Sequence, residues 1–378
     1  MAIRSVLVTG GAGYIGSHLV DRLVARDYLV TVLDNLEPQV HRTGAWPSYV
    51  NPGATYVRGD VRDRAAFEPL VVASDAVVHF GAAVSVGQSM YQIDRYVDVN
   101  TRGTALLLDI LVNAKHHVQK VVVASSIGVY GEGAYHCAGC GAVAPGIRPA
   151  EQLATRDWEQ HCPGCGQHAA SVPTPEDKPL YRDNIYSMTK YHQEEMVLLI
   201  GKTYGIPSVA PRFFNVYGPR QSLSNPYAGV AAIWLSRLMN DKQPVVFEDG
   251  GQLRDFVSIH DVVACLVLML EQSGADYLPV NVGSGQTITI LDIARLLARL
   301  LGTSIEPLVT QTGRTFDIRH NTADITRART TLGFEPKVTL EQGFTELIEW
   351  ARTTPDLAED FFDRAMQELQ DKGLLVQS

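Results

Sequence analysis

The sequence predicts a doubly wound α/β fold: a parallel sheet covered by helices on both faces, with a smaller C-terminal region and an inserted module. Three observations carry that reading. Short apolar runs alternate with amphipathic stretches up to about residue 130. A glycine-rich loop follows the first run directly. Four of the five cysteines then fall between 137 and 165, in two Cys-x-x-Cys pairs, where the alternation breaks down.

Residues 6–9, 29–34, 55–58, 76–80 and 120–125 read as buried strands, because their apolar runs are continuous rather than alternating. Between them, 15–25, 64–72 and 96–114 have helical spacing. Alternation at this pitch makes βαβ units with right-handed crossovers. Residues 133–172, rich in Gly, Cys, Pro and His, read as an insertion with its own organisation. The pattern resumes with a helix at 186–203, a strand at 208–212, a helix at 228–239, a strand at 244–247 and a helix from Asp261. Ser258 and Asp261 have the spacing of a capping box for that last helix. Cys265 lies in its apolar run and reads as a packed thiol. Thr354-Pro355-Asp356 opens a final helix over 354–374, with Leu357, Phe361, Phe362, Met366 and Leu369 on one face. The expected division is a nucleotide-binding domain over 1–212 and about 244–272, a substrate region over 213–243 and 273–352, and a helical tail over 353–378.

With 378 residues, 46% hydrophobic and 19% charged, the chain has ordinary globular composition, which excludes a disordered protein. Its 32 Lys and Arg against 41 Asp and Glu give a net charge of −9, which argues against a nucleic-acid partner. No apolar run approaches the roughly 18 residues of a membrane span. The N-terminal apolar run is too short for a signal peptide. A cytoplasmic enzyme is expected.

Gly10, Gly13 and Gly16 form a G-x-x-G-x-x-G loop between the first strand and the first helix. Such glycines permit a tight turn and let backbone amides approach a pyrophosphate at the helix N-terminus, as in Rossmann folds. Asp34 ends the second strand, placed to accept hydrogen bonds from an adenosine ribose. Its charge would repel a 2′-phosphate, and no arginine follows before Arg42, so NAD is favoured over NADP.

Tyr186 and Lys190 are four apart and share a helix face. A phenol titrates near ~10. A neighbouring ammonium and a cationic nicotinamide both stabilise the phenolate, which turns Tyr186 into a usable base. Ser125 and Ser126 end the fifth strand, where doubly wound folds place ligands.

These motifs together resemble the extended short-chain dehydrogenase/reductases that act on nucleotide-activated sugars. The resemblance rests on Thr9-Gly10-Gly11-Ala12-Gly13-Tyr14-Ile15-Gly16, Leu33-Asp34-Asn35, Gly59-Asp60-Val61 and His79-Phe80-Gly81-Ala82-Ala83. Asn100, Ser126, Tyr186, Lys190, Pro211 to Arg220, and Leu253-Arg254-Asp255 extend it. It implies NAD contacts from Gly10, Gly13, Tyr14, Ile15, Gly16, Asp34, Asn35, Asp60, Val61, Phe80, Ala82, Ala83, Asn100, Tyr186, Lys190 and Phe213. It implies catalysis by Ser126, Tyr186 and Lys190, and substrate contacts from Ser126, Asn215, Arg220, Arg254, Arg314 and Asp317. Phe316 departs from the pattern, since relatives often have glycine there. A homodimer through helices 96–114 and 186–203 is also implied.

Dehydratases of this family carry an acid pair after the strand-five hydroxyl; here Ile127 and Gly128 stand there. Neither moves a proton, which favours 4-epimerisation of a nucleotide-diphosphate hexose or 6-deoxyhexose. Residues 220–227 and the cysteine insertion resemble a branch acting on dTDP-L-rhamnose. A 4-keto-sugar reductase or dehydrogenase, or a dehydratase, stays open as the second enzyme reading, and net NADH turnover would separate a redox enzyme from an epimerase. A nucleotide-sensing docking protein is the non-enzyme reading; the presence of Tyr186, Lys190 and Ser126 weighs against it.

Cys137, Cys140, Cys162 and Cys165 suit a zinc-ribbon-like Cys₄ site. Four thiolates close the coordination sphere, so the zinc would be structural. Disulfides are the alternative, disfavoured by a cytoplasmic setting. His136 and His161 are reserve ligands or mere neighbours. Lying between Ser126 and Tyr186 in sequence, the insertion is expected near the active-site mouth, as a lid or docking surface.

Overall fold

The computed structural model describes residues 3–225, 227, 229–313, 317–354 and 358–374. Its main sheet is parallel. The strands lie in the order Leu278–Val282, Ser208–Phe213, Lys120–Val123, Ala76–His79, Ser5–Thr9, Leu29–Asp34 and Thr55–Arg58, and the short Ser125–Ser126 strand also pairs with Ser208–Phe213. Ser5–Thr9 is the hub: Val6 faces Val30 on one side and Ala76 on the other. The chain winds outward in both directions from this strand, so a crevice opens at its C-terminal end, the usual ligand position in such sheets.

Period-two alternation divides the central strands between two cores. Val6 and Val8 pack with Leu19 and Leu23 of helix Tyr14–Val24 and with Val262 and Leu266 of helix Ile259–Glu271. Leu7 faces the opposite way, with Phe67, Leu107 and Val197. A third core joins helices Val230–Met239, Ile290–Leu301 and Leu340–Thr353 around Trp234, Phe256 and Phe344. The insertion forms its own antiparallel sheet, Ala134–Cys137 flanked by Gly141–Val143 and Ala170–Val172, with a short helix Ala150–Ala154.

Several expectations need correction. Thr55–Arg58 is a half-exposed edge rather than a buried strand. The 96–114 helix is three pieces: Ile93–Tyr96, a π-turn Val97–Arg102, and Gly103–Asn113. The 244–247 strand shrinks to Val245–Val246, which pairs with Leu308–Val309 outside the main sheet. Conversely, Leu278–Val282, assigned from sequence to the substrate region, is the outer strand of the main sheet. Ser258 caps its helix by accepting from the His260 amide, but the Asp261 carboxylate accepts from the amides of Lys337 and Val338 (2.9 and 3.1 Å). The capping box is therefore only half made. The last helix is Phe362–Asp371, ten residues; Leu357 and the Pro355-Asp356 start signal lie outside the described residues. Cys265 is fully buried, as expected. Among the described residues no helix is long and apolar enough to cross a membrane.

Candidate active site

The glycine loop is built by close approach. Gly10 takes φ +67°, and its amide donates to the Leu33 carbonyl at 2.8 Å. A Cβ on Gly16 would sit 2.3 Å from the Gly10 carbonyl oxygen, so only glycine fits. Helix Tyr14–Val24 starts at Gly13 with no side chain capping it, which leaves its positive end for an anion. Ile15 packs into the adjoining core. Asp34, buried, accepts from the Ala12 amide (3.0 Å) and the Leu36 amide (2.9 Å). It therefore braces the loop.

Beside it, Asn35 donates to Asp60 at 3.0 Å, and Arg62 pairs with Asp60 at 2.7 Å. These bonds hold the Asp60 carboxyl at about 2, well below its ordinary value. Phe80 and Phe213 meet edge to face at 6.2 Å, while the Phe80 and Gly81 amides donate to the Thr9 hydroxyl. Val61 is buried, close behind Gly81 and Gly103. Asn100 sits in the π-turn. Its amide group donates to the Ala83 carbonyl (3.0 Å) and the Thr189 hydroxyl (2.9 Å), and its oxygen accepts from the Ala83 amide (2.7 Å). It links the 82–83 turn, with Ala82 half-buried, to the helix carrying Tyr186 and Lys190. Tyr14 is placed differently: its hydroxyl is buried against Gly218 with no partner among the described residues, and burial pushes its phenol up.

Asn184 starts that helix, Ile185–Tyr204, by accepting from the Ser187 amide at 2.9 Å. The Tyr186 amide donates to Ser89 at 3.0 Å, and its ring stands edge-on to Tyr96 at 6.5 Å. Burial raises the Tyr186 phenol, and a hydrogen bond with Ser126 draws it down. Lys190 is buried one turn on. Its Nζ donates to the Ala124 carbonyl at 3.2 Å, and burial lowers the ammonium to about 7. The structure thus brings Ser126, Tyr186 and Lys190 together at the strand ends. A Cβ on Gly128 would lie 2.7 Å from the Ser187 hydroxyl and 3.4 Å from that of Ser126, so a side chain here would have to displace the Ser187 hydroxyl.

Of the six implied substrate residues five are described: Ser126, in the catalytic cluster, and Asn215, Arg220, Arg254 and Asp317. Arg220, at φ +65°, lies 2.7 Å from Asp21 and stacks over Tyr49, whose hydroxyl donates to the Ala12 carbonyl. It belongs to the glycine-loop side. Arg254 is held by the carbonyls of Leu253, Ile318 and Arg319 (2.7 to 2.9 Å), and the Asp317 carbonyl accepts from Arg148. The buried side-chain oxygen of Asn215 has no partner among the described residues, so it is an acceptor that a ligand could satisfy. Arg314 and Phe316 lie outside the described residues.

Two networks escaped the sequence reading. Ser125 donates to Glu194 at 2.5 Å, Arg212 forks onto the same carboxylate, and Arg212 also donates to Tyr130. This fixes the strand end beside Ser126. The second network clamps the insertion to the C-terminal region. Glu132 accepts from the amides of Arg319 and His320, Arg148 pairs with Glu248, and Arg319 pairs with Glu159, Glu248 and Asp249. These partners lie far apart in the chain, and no local spacing announces them. These contacts tie one side of the insertion to the C-terminal region.

The sulfurs of Cys137, Cys140, Cys162 and Cys165 all lie within 4.8 Å of one another, with Cys137 and Cys165 at 3.5 Å, and no disulfide joins them. His136 points to solvent outside this group.

The chain matches the NAD dependent epimerase/dehydratase family over residues 6–143 and 163–283, with the interruption falling inside the insertion. A dTDP-L-rhamnose 4-epimerase of Burkholderia thailandensis is 36% identical over 92% of this chain and 94% of its own. The UDP-glucose 4-epimerase of Thermotoga maritima, solved with UDP-glucose, superposes with a TM-score of 0.75 at 29% identity, covering 93% of this chain and 99% of that one. The UDP-glucose 4-epimerase of Thermus thermophilus, solved with NAD, gives 0.74 at 28% identity with the same coverage. Matched along most of its length and over the glycine loop, Ser126, Tyr186 and Lys190, the chain belongs to the NAD dependent epimerase/dehydratase family.

Proposed function

We propose that the protein is an NAD-dependent 4-epimerase of a nucleotide-diphosphate sugar, with dTDP-L-rhamnose the first substrate to test. The observation that carries this is the convergence of Ser126, Tyr186 and Lys190 beside Ile127 and Gly128, which offer no acid. The residues fit NAD. A Cβ would fill the Gly10–Gly16 cradle, the following helix end is uncapped, and Asp34 stands at the end of the second strand. Bound NAD supplies the hydride acceptor, and then donor, at C4.

Tyr186 takes the 4-hydroxyl proton and returns it after the keto sugar has turned over. Ser126 holds the same oxygen and steadies the phenolate. A phenolate next to Lys190 restores preference for the ammonium that burial weakens. Asn100 keeps the helix in register with the 82–83 turn. Cofactor contacts fall to the loop, Asp34, Asn35, the Asp60-Val61 backbone, and Phe80 and Phe213. Asn215, Arg254, Arg314 and Asp317 fall to the substrate, with Arg220 on the glycine-loop side.

The four thiols would hold a structural zinc, making the insertion ribbon-like. Zn–S bonds of about 2.3 Å put tetrahedral sulfurs about 3.8 Å apart, within the spread seen here. A reducing cytoplasm would keep these thiols free to ligate. Exposed Val97, Met188 and Leu199 on helices 93–113 and 185–204 support a homodimer through that face. The test is incubation with a panel of nucleotide sugars, dTDP-L-rhamnose included, with product stereochemistry read by NMR. Inversion at C4 is expected for at least one; an unchanged panel would remove the reading.

A further inference from the structure

We propose that Asp157, His161 and His168 form a second divalent-cation site, taking an ion such as Zn²⁺ through nitrogen and oxygen rather than sulfur. The three donor groups come within 4.8 Å of one another. The second cysteine knuckle sets them there. Cys162 donates its amide to the Gln167 carbonyl (2.7 Å) and Gly166 to the Cys162 carbonyl (2.8 Å), so His161 and His168 bridge across a tight hairpin. Their rings lie 4.7 Å apart, centre to centre.

His161 Nδ1 is 3.1 Å from the Gly166 carbonyl oxygen, and its Nε2 lies 2.7 Å from a carboxylate oxygen of Asp157. His168 Nε2 lies 4.0 Å from the other Asp157 oxygen, so the three side chains converge on one point that a single ion would occupy. Bonds of about 2.0–2.2 Å from one ion place neighbouring N and O donors about 3.3 Å apart, between these two spacings. Small side-chain rotations close the difference, and His168 is 65% exposed and able to make them.

The donor set suits borderline ions: two imidazoles and a carboxylate favour zinc, nickel or copper over magnesium or calcium. The Nδ1 bond to a backbone carbonyl is the orienting contact that ligating histidines commonly make. Three protein ligands leave room for water, so this ion should exchange, unlike one enclosed by four thiolates.

The experiment is equilibrium dialysis of the untagged full-length chain against Zn²⁺, followed by metal analysis, for wild type, His168→Ala and Asp157→Asn. Each variant should hold one equivalent less than wild type, with the thermal midpoint confirming that it is folded. The difference is read independently of the thiols: if they hold no zinc, the totals fall from one to none rather than from two to one. Equal zinc content in wild type and both folded variants would overturn the site.

Discussion

Arg148 Nη2 lies 2.7 Å from Glu248 Oε1, 100 residues away in the chain, and both side chains are almost wholly buried. Arg148 also donates to the carbonyls of Trp158 and Asp317. One guanidinium thus joins the insertion, the 248 turn and the strand leading to His320.

Arg148→Met keeps the volume and removes the charge, leaving Glu248 with Arg319 as its remaining partner. Breaking a buried pair from one side costs roughly 3 kcal/mol. The melting temperature should fall by several degrees and proteolysis should begin within 133–172, while NAD still protects the sheet. Calorimetry and limited digestion read both effects. Unchanged melting would mean the pair is not holding the insertion.

Gly16→Ala tests the cofactor loop. The new methyl would meet the Gly10 carbonyl, which is backbone and cannot swing aside. Titration calorimetry should show NAD affinity falling by at least about tenfold, that is 1.4 kcal/mol. Wild-type affinity in the variant would place the cofactor elsewhere.

His79 makes acid stability predictable. It is fully buried between the Thr9 and Thr104 hydroxyls, and burial, with Lys190 nearby, lowers it to about 3 from its usual 6.5. The unfolded chain therefore binds more protons between those values. Stability is fully present above pH 6.5 and declines as pH falls toward 3, by at most about 1.4 kcal/mol per unit from this group. Denaturant titrations from pH 7 to 4 should show a shallower decline for His79→Asn than for wild type. Parallel declines would remove His79 as a cause.

The thiol cluster is tested by Cys140→Ser. If zinc sits among the four sulfurs, metal analysis should show one equivalent lost, and the 133–172 segment should become protease-sensitive. The NAD site, which has its own core, should keep its affinity. A variant with the wild-type metal content would refute a thiol-bound ion.

The main sheet and its loop were legible in the sequence because the information is local. Continuous apolar runs mark strands buried on both faces, and Gly10, Gly13 and Gly16 lie within one turn. Tyr186 and Lys190 were legible for the same reason, being one helical turn apart. Arg220 shows where this stops: its motif resembles a substrate contact, but its direction depends on Asp21 and Tyr49, which no spacing connects to it. The strand Leu278–Val282 was misassigned because its place at the sheet edge depends on a pairing with Ser208–Phe213, about seventy residues earlier in sequence. The clamp of Arg148 and Arg319 on Glu248 was invisible, since buried ion pairs between distant segments leave only scattered charges in a sequence.

The most direct test of C4 epimerisation by a returned hydride uses a nucleotide sugar deuterated at C4, with wild type and Tyr186→Phe. Removing one hydroxyl should lower turnover by about 10²–10⁴-fold, the usual contribution of a general acid–base group, while NAD binding persists. For the wild type, NMR should show the inverted sugar with deuterium still on C4 and no accumulation of free NADH. Loss of the label to solvent, or deuterated reduced cofactor released in step with product, would contradict the proposed chemistry.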